Sequence, residues 1–353
     1  MTIYILKRLL LMIPTLLGIL FFTFLIIQFV PGGPVEQLVN KLSGLDSITE
    51  SSSASNMYRG SNGLSDEHIS QLNEFYGFDK PFFERFMIMI SNYAFFDLGT
   101  SYFHNQSVGD LILSKLPVSI SLGLWSFIIV YAVSIPLGIK KAINDGSRFD
   151  LISSTIVLVG YSIPGFVLGI GLIVLLGGGS FFDLFPTRGL VSDNWSSLSM
   201  MGKILDYFWH ITLPIICLII GSFAVMTMLT KNSFIDEINK LYTTTARAKG
   251  LSENKVLYAH VFKNAIIPIL TGFPAQFVSA FFTGSILIET IFSLDGIGLL
   301  SYEAIIQRDY PVVMGTLFIF TLLGLLTKLI TDIMYVYVDP RIKFTSSDTQ
   351  RNL

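Results

Sequence analysis

Lys231-Asn-Ser-Phe-Ile-Asp-Glu-Ile-Asn-Lys240-Leu-Tyr-Thr-Thr-Thr-Ala-Arg-Ala-Lys-Gly250-Leu-Ser-Glu-Asn-Lys-Val-Leu-Tyr-Ala-His260-Val-Phe-Lys-Asn264 is a polar island between two apolar runs, 208–230 and 265–288. Such a stretch does not stay in hydrocarbon, so the flanking runs are separate membrane spans joined through water. The island carries Lys231, Lys240, Arg247, Lys249, Lys255 and Lys263. Cytoplasmic loops collect Lys and Arg, which places it in the cytoplasm. Its centre reads as a short amphipathic helix from about Ile238 to Lys249, then Gly250, then a second helix. Gly250 suits a left-handed cap, where a Cβ would cost energy. This is the shape of a handle for another protein to grip; the residues alone equally allow a plain connecting loop with a solvated basic face.

The rest of the chain agrees with a membrane setting. Of 353 residues, 52% are hydrophobic and only 14% charged, against about 25% charged in soluble domains. Six spans emerge, at 9–30, 117–139, 151–177, 208–230, 265–288 and 312–336. The first is about the ~20 residues needed to cross a bilayer. Pro31-Gly-Gly-Pro34 follows it, rather than a small-residue cleavage site, so it reads as a retained helix. With both termini in the cytoplasm, the inner segments 1–8, 140–150, 231–264 and 337–353 hold Lys7, Arg8, Lys140, Lys141, Arg148, the six island cations, Arg341, Lys343 and Arg351. Those are 14 of the 23 basic residues, while 17 of the 25 acidic ones fall outside. An odd number of spans would set Lys140-Lys141 and the island on opposite faces.

The organisation expected is therefore all-α: 1–30 for the N-terminus and first span, 31–116 for a long periplasmic segment with a flexible insert at about 43–63, and 117–353 for the core with its cytoplasmic loop 231–264. In the outer segment Ser65 reads as a helix N-cap, with Gly77-Phe-Asp-Lys-Pro81 closing that helix. Phe82 to Phe96 reads as an amphipathic helix on the outer membrane surface. The outward acidic excess suggests that a binding protein docks around 31–116 and 289–311; rim charges of that kind steer association more than they set affinity.

No catalytic constellation appears. His68, His104, His210 and His260 are scattered over loops and helix ends, there is no His-Glu-x-x-His or Gly-x-Ser-x-Gly, and no phosphate-cradling Gly-x-x-x-x-Gly-Lys-Ser/Thr loop. Gly177-Gly-Gly-Ser180 reads as a loop and Thr283-Gly-Ser285 as helix packing. The single cysteine, Cys217, rules out an internal disulfide framework or a cysteine metal site. The spans hold almost no charge. Lys328 and Asp332 are the exception, spaced i,i+4 so that each neutralises the other. A proton or sodium relay would need more than that pair. Energy must then come from outside the chain.

Backbone breakers are frequent instead. They are Pro136 with Gly138, Gly160-Tyr-Ser-Ile-Pro164-Gly165, Pro214, and Pro268, Gly272 and Pro274. Irregular backbone at membrane depth is tolerated where it is buried or lines a wet cavity. The third and fifth spans are the candidates for lining a pathway, with Tyr161, Ser162, Pro164, Gly272, Pro274 and Gln276 as the nominated residues. Simple packing is the competing role for each.

The handle resembles the coupling loop of the permease subunits of bacterial ATP-binding-cassette importers. Their loop reads Glu-Ala-Ala, three residues, Gly; the matching positions here are Thr244, Thr245, Ala246 and Gly250. Thr245-Ala-Arg-Ala-Lys-Gly-Leu-Ser252 is similar to the form found in the oligopeptide/dipeptide/nickel branch. So are Ile5-Leu-Lys-Arg-Leu-Leu-Leu-Met-Ile-Pro14-Thr15, Leu116-Pro-Val-Ser119, His260-Val-Phe-Lys-Asn264, Ile288-Glu-Thr290, Gly296-Ile-Gly298, Arg308-Asp-Tyr-Pro311 and Val338-Asp-Pro-Arg-Ile342. Leu122-Gly-Leu-Trp125, Gly146-Ser-Arg-Phe-Asp150 and Trp209-His-Ile-Thr-Leu-Pro214 are closest to one peptide-importing subgroup. Two positions depart from the wider pattern: Gly33 stands where many relatives carry Asp, and the Ile-x-Leu-Pro ending of the loop is absent.

The resemblance implies a type I importer permease fold with six spans in the bacterial inner membrane. It implies no enzyme activity and no cofactor in this chain, since ATP and Mg are bound by a partner ATPase. Thr244, Thr245, Ala246, Arg247, Ala248, Lys249 and Gly250 would form the ATPase-coupling lever, the small residues allowing close approach. The implied partners are a second, similar permease forming a heterodimer, an ABC ATPase, a periplasmic substrate-binding protein, a peptide substrate and membrane lipid, with no nucleic acid. Transport would be inward by alternating access. The alternatives are a nickel or metal-chelate importer of the same branch and, from another class, an ion-coupled secondary transporter relying on Lys328 and Asp332.

Overall fold

The computed structural model describes residues 2–29, 79–178, 181–282 and 286–338. The expectations for Gly33, the 43–63 insert, the Ser65-capped helix, Gly77, Gly179-Ser180, Thr283-Gly-Ser285 and the cations after 338 lie outside the described residues. Among the described residues the regular elements are helices, apart from two isolated bridges, Thr100 with Ser107 and Gly177 with Asp183. In order they are α1 (Thr2–Phe29), α2 (Phe82–Ala94), α3 (Val108–Ile143), α4 (Arg148–Ser162), α5 (Gly165–Leu176), α6 (Met200–Ile238) and α7 (Leu241–Ala248). They continue as α8 (Glu253–Ala265), α9 (Ile267–Phe282), α10 (Ile286–Ile291), α11 (Ile297–Gln307) and α12 (Tyr310–Val338). Four of them, α1, α3, α6 and α12, are long and apolar enough to cross a membrane singly. Two bent pairs, α4 with α5 at 93° and α8 with α9 at 50°, bring the total to six if each pair is one span.

The breaks have local causes. Ile163 precedes a proline, and the ring of Pro164 disfavours helical backbone there; Ile163 is extended (φ −93, ψ 117) and α4 stops one residue earlier. Pro164 then opens α5, where its missing N–H costs nothing. Pro14, Pro117, Pro136 and Pro214 sit inside α1, α3 and α6 without ending them.

Two compact units divide the chain. One comprises residues 10–114 and 300–322. Within it Phe82 and Phe86 of α2 pack on Phe21 and Phe24 of α1, with ring centroids 5.2–6.1 Å apart. Arg85 donates to the Gln28 side chain at 2.6 Å. Buried Asp309 accepts from Ser101 Oγ at 2.5 Å and from the Tyr102 N–H at 3.1 Å. The other unit comprises residues 1–9, 115–299 and 323–353. It holds two apolar clusters that bear on function. Leu122, Ile211, Leu213, Ile215, Cys217, Ile288, Phe292 and Leu294 form the first, where α5, α6 and α10 meet. Ile139, Ala142, Phe234, Ala246, Val256, Leu257, Val261 and Ala265 form the second, under the handle.

One sequence expectation is corrected here and a second is narrowed. Asp332 does not pair with Lys328: its Oδ2 accepts from the Tyr4 hydroxyl at 3.0 Å and pairs with the Arg8 guanidinium at 2.9 Å, while Lys328 is exposed. One Arg8 nitrogen meets the carboxylate while its Nε donates to Tyr4 Oη at 3.0 Å, so a single guanidinium orders both partners of Asp332. Of the 289–311 acids, Glu289 and Asp309 are buried, while Asp295 stays exposed and pairs with Lys115. Glu289 is fully enclosed, its Oε2 accepting from the Leu299 N–H at 2.6 Å near the start of α11, and Asp309 is buried as described. Both carboxylates satisfy backbone N–H groups that would otherwise be orphaned.

Candidate functional site

The handle is built from the end of α6 onwards. The helix continues to Ile238, so the lever helix is α7, Leu241–Ala248, three residues shorter at its start than the periodicity suggests. The intervening turn is held by Thr243. Its fully buried Oγ1 donates to the Ile238 carbonyl (2.7 Å) and the Lys240 carbonyl (2.5 Å), satisfying groups left open at the α6 terminus. Glu237 accepts from the Tyr242 hydroxyl at 2.6 Å and pairs with Lys240. Burial opposes its ionisation, but the hydrogen bonds from Lys240 and Tyr242 outweigh that and hold the carboxyl below the usual range. Asn264 donates to Tyr242 Oη at 3.2 Å, which ties the far end of the island to its beginning.

α7 ends in a Schellman motif. The Leu251 N–H bonds the Ala246 carbonyl (3.4 Å) and the Gly250 N–H bonds the Arg247 carbonyl (2.9 Å). Gly250 sits at φ +79, the left-handed conformation expected of it. Ala246 and Leu251, the C3 and C″ positions, both join the apolar cluster beneath the handle. Arg247 Nε donates to both Glu253 oxygens, at 2.9 and 3.2 Å, bracing α7 on α8.

The seven nominated lever residues therefore divide. Thr244, Thr245, Ala248, Lys249 and Gly250 are exposed; Arg247 is exposed but engaged with Glu253; Ala246 is buried. The small size of Ala246 serves packing against this chain's own core rather than approach by a partner, because the α7 face carrying Thr243 and Ala246 is the seated one. Leu241 is a residue that sequence reasoning missed. It is 85% exposed, and it shares the outward face with Thr244, Thr245 and Ala248 at i, i+3, i+4 and i+7. A lone leucine at the start of a polar helix is the signal that could have found it.

The nominated pathway residues also divide. The α4–α5 break walls a cavity of about 360 Å³ to which Tyr161, Pro164, Ile220, Ser222, Leu287 and Ile288 contribute. The Ser162 hydroxyl turns back to the Leu158 carbonyl (2.9 Å) and is not part of that wall. Gly272, Pro274 and Gln276 stand on α9 and do not line it either; Pro274 is buried, Gly272 half-buried and Gln276 exposed. At the break, Gly165 lies backbone to backbone against α6, and a Cβ built on it would sit 2.4 Å from the Cys217 carbonyl oxygen. Overpacking of this kind costs about 1–3 kcal/mol. Gly165→Ala is expected to lower the thermal midpoint of the purified protein in detergent, while Gly171→Ala, with no neighbouring atom within 4 Å of its Cβ, leaves it unchanged. Equal midpoints for the two variants would contradict the close approach.

The described helices thus include a kinked, cavity-lining pair, α4 and α5, and a short braced helix, α7, on a polar turn. Residues 134–344 match the family model of the binding-protein-dependent transport system inner membrane component. The chain belongs to that family. It is 57% identical, over 98% of its length and 99% of the relative's, to the peptidoglycan transport system permease protein YejB of Agrobacterium fabrum. It is 52% identical, over 97% of its length and 98% of the relative's, to the inner membrane ABC transporter permease protein YejB of Escherichia coli O157:H7. The dipeptide transport system permease protein DppB of Escherichia coli K12 is 33% identical over 96% of this chain and 98% of its own.

Proposed function

We propose that this chain is one of two similar permeases in an ATP-driven importer, carrying oligopeptides or peptide-like compounds into the cytoplasm by alternating access. The peptide and peptidoglycan cargo in the names of its relatives supports that substrate class. ATP and Mg belong to a separate ATPase, and cargo is delivered by a periplasmic binding protein. Both termini and the 231–264 loop face the cytoplasm, in keeping with the Lys/Arg distribution.

The observation that carries the reading is the lever: a capped helix with one face locked onto its own chain and the opposite face open. An ATPase dimer that closes on ATP can move membrane helices only through a rigid part, and α7 is braced by Thr243, Glu237, Tyr242 and Arg247. Thr244, Thr245, Ala248 and Lys249 offer small or flexible contacts. Leu241 supplies the apolar anchor, and a single buried anchor of this kind commonly dominates an interface.

Two measurements test it. Cysteine at Thr245, treated with a short bifunctional thiol reagent in native membranes, is expected to cross-link this chain to an ATPase; recovery of only uncross-linked chain would overturn the assignment. Leu241→Ala is expected to weaken ATPase retention during purification by roughly tenfold, the scale of an interface anchor worth more than about 1 kcal/mol. Unchanged retention would remove Leu241 from the interface.

A further inference from the structure

A group of charges, with Lys141 and Asp150 buried, Lys231 partly so and Asp145 exposed, lies between the handle and the cavity. Lys141, near the end of α3, is completely enclosed in this apolar bundle. Its Nζ meets Asp150 Oδ1 (3.1 Å), the Asp150 carbonyl (3.1 Å), Ser153 Oγ (2.8 Å) and Ser154 Oγ (2.6 Å). Asp150, in the first turn of α4, gives its other oxygen to Lys231 of α6 at 2.7 Å. Lys231 also reaches Asp145 on the α3–α4 turn at 2.9 Å, and the Gly146 N–H donates to Asp150 at 3.2 Å. Two ammonium groups thus face two carboxylates across three helices.

Stability alone is a poor account of this group. A buried ion network gains little over apolar packing of the same volume, because desolvation offsets the attraction. What it supplies is direction, since Asp150 fixes both distance and register between α4 and α6. The placement gives that register a use. α6 is one continuous helix carrying Ile220 and Ser222 of the cavity wall, then Lys231, then Ile238, from which the handle hangs. α4 runs from Asp150 at the network to Tyr161 at the same cavity. Between those points the two helices stay in contact, a Cβ on Gly160 lying 3.4 Å from the Ile220 side chain.

We propose that the Asp150–Lys231 pair is a transmission tie that makes α4 follow α6 when the handle is displaced, so that the Tyr161 cavity changes shape with the nucleotide cycle. Lys141 holds Asp150 in place for that contact, and both act as positioning residues. The inference rests on the coupling reading above.

The test uses the whole importer, copurified from native membranes and reconstituted, with uptake and ATP hydrolysis measured together. Lys231→Met is expected to preserve the complex and its hydrolysis while lowering cargo taken up per ATP by about tenfold, within the usual span of coupling between sites. Lys231→Arg is expected to restore most of it. Unchanged uptake per ATP in Lys231→Met, or uptake and hydrolysis falling together, would overturn the tie. Spin labels on exposed Leu151 of α4 and Asn232 of α6 give a second readout with the network intact. Their separation is expected to stay the same with and without nucleotide, and a changed separation would overturn the tie even if Lys231→Met does not assemble. Failure of the wild-type chain to copurify with any ATPase would instead signal that the coupling reading itself is wrong.

Discussion

Gly250→Val is expected to cut ATP-driven uptake by roughly ten- to thirtyfold while the chain still reaches the membrane and assembles in normal amount. Gly250 holds φ +79 at the end of α7, and a Cβ built there meets no atom within 4 Å. The penalty is therefore backbone strain and not a clash. A left-handed residue with a side chain costs about 1–2 kcal/mol, more when β-branched. The chain can relieve that strain by unwinding the Schellman turn, which releases the Leu251 N–H from Ala246 and the Gly250 N–H from Arg247. The lever would then tilt on its seat without disturbing the apolar cluster below it. Gly250→Asn separates this from any loss of flexibility, because asparagine tolerates the left-handed region and should keep most of the activity. ATP-dependent uptake by the two variants, normalised to recovered complex, makes the check. Equal activity for valine and glycine would show that the cap does not set the lever.

Lys141→Ala is expected to have the largest effect on stability. Lys141 is fully buried, and its removal takes one of the two cations from Asp150 and leaves two serine hydroxyls without a donor. Breaking one side of a buried pair costs about 3–5 kcal/mol when the remaining charge is uncompensated; Lys231 still meets Asp150, so the loss falls at the low end of that range. Little folded protein should survive detergent extraction, and the thermal midpoint of what does should fall. The double variant Lys141→Met/Asp150→Asn should regain a large part of the midpoint, because it removes the stranded charge as well. A single variant that melts like wild type would show that water or another group reaches Asp150. The uptake defect expected of Lys231→Met is a separate matter: Lys231 is partly exposed and Asp150 keeps Lys141 when it is lost.

The legible part of this protein lay in local patterns. Six apolar runs, a polar island with six cations and a glycine after Thr-Ala-Arg-Ala-Lys are all short-range features. So is Ile163-Pro164, where the proline disfavours helical backbone at the preceding residue and α4 stops, although Ile13-Pro14 and Ile135-Pro136 stay inside their helices. The motifs that carry the family resemblance are contiguous words as well. The seating of the handle was less legible. Thr244, Thr245 and Ala246 look alike as small residues, yet only Ala246 faces the core, because the turn that Thr243 makes with Ile238 and Lys240 sets the rotation of α7. Leu241 looked like an ordinary helix residue until that rotation left it in the open.

Charge partners were the hardest to read. Lys328 and Asp332 are four residues apart, and spacing alone pairs them; the fold gives Asp332 to Arg8 and Tyr4, more than 300 residues away in sequence. Asp150 and Lys231 are 81 residues apart and meet at 2.7 Å. By itself, then, the sequence determined the long apolar helices, the break at Ile163-Pro164 and the cap at Gly250, because each follows from hydropathy or backbone sterics within a few residues. The tertiary structure alone decided which face of the handle is open and which buried charges are tied together. Those depend on how distant helices are rotated against one another, and no local rule encodes that rotation.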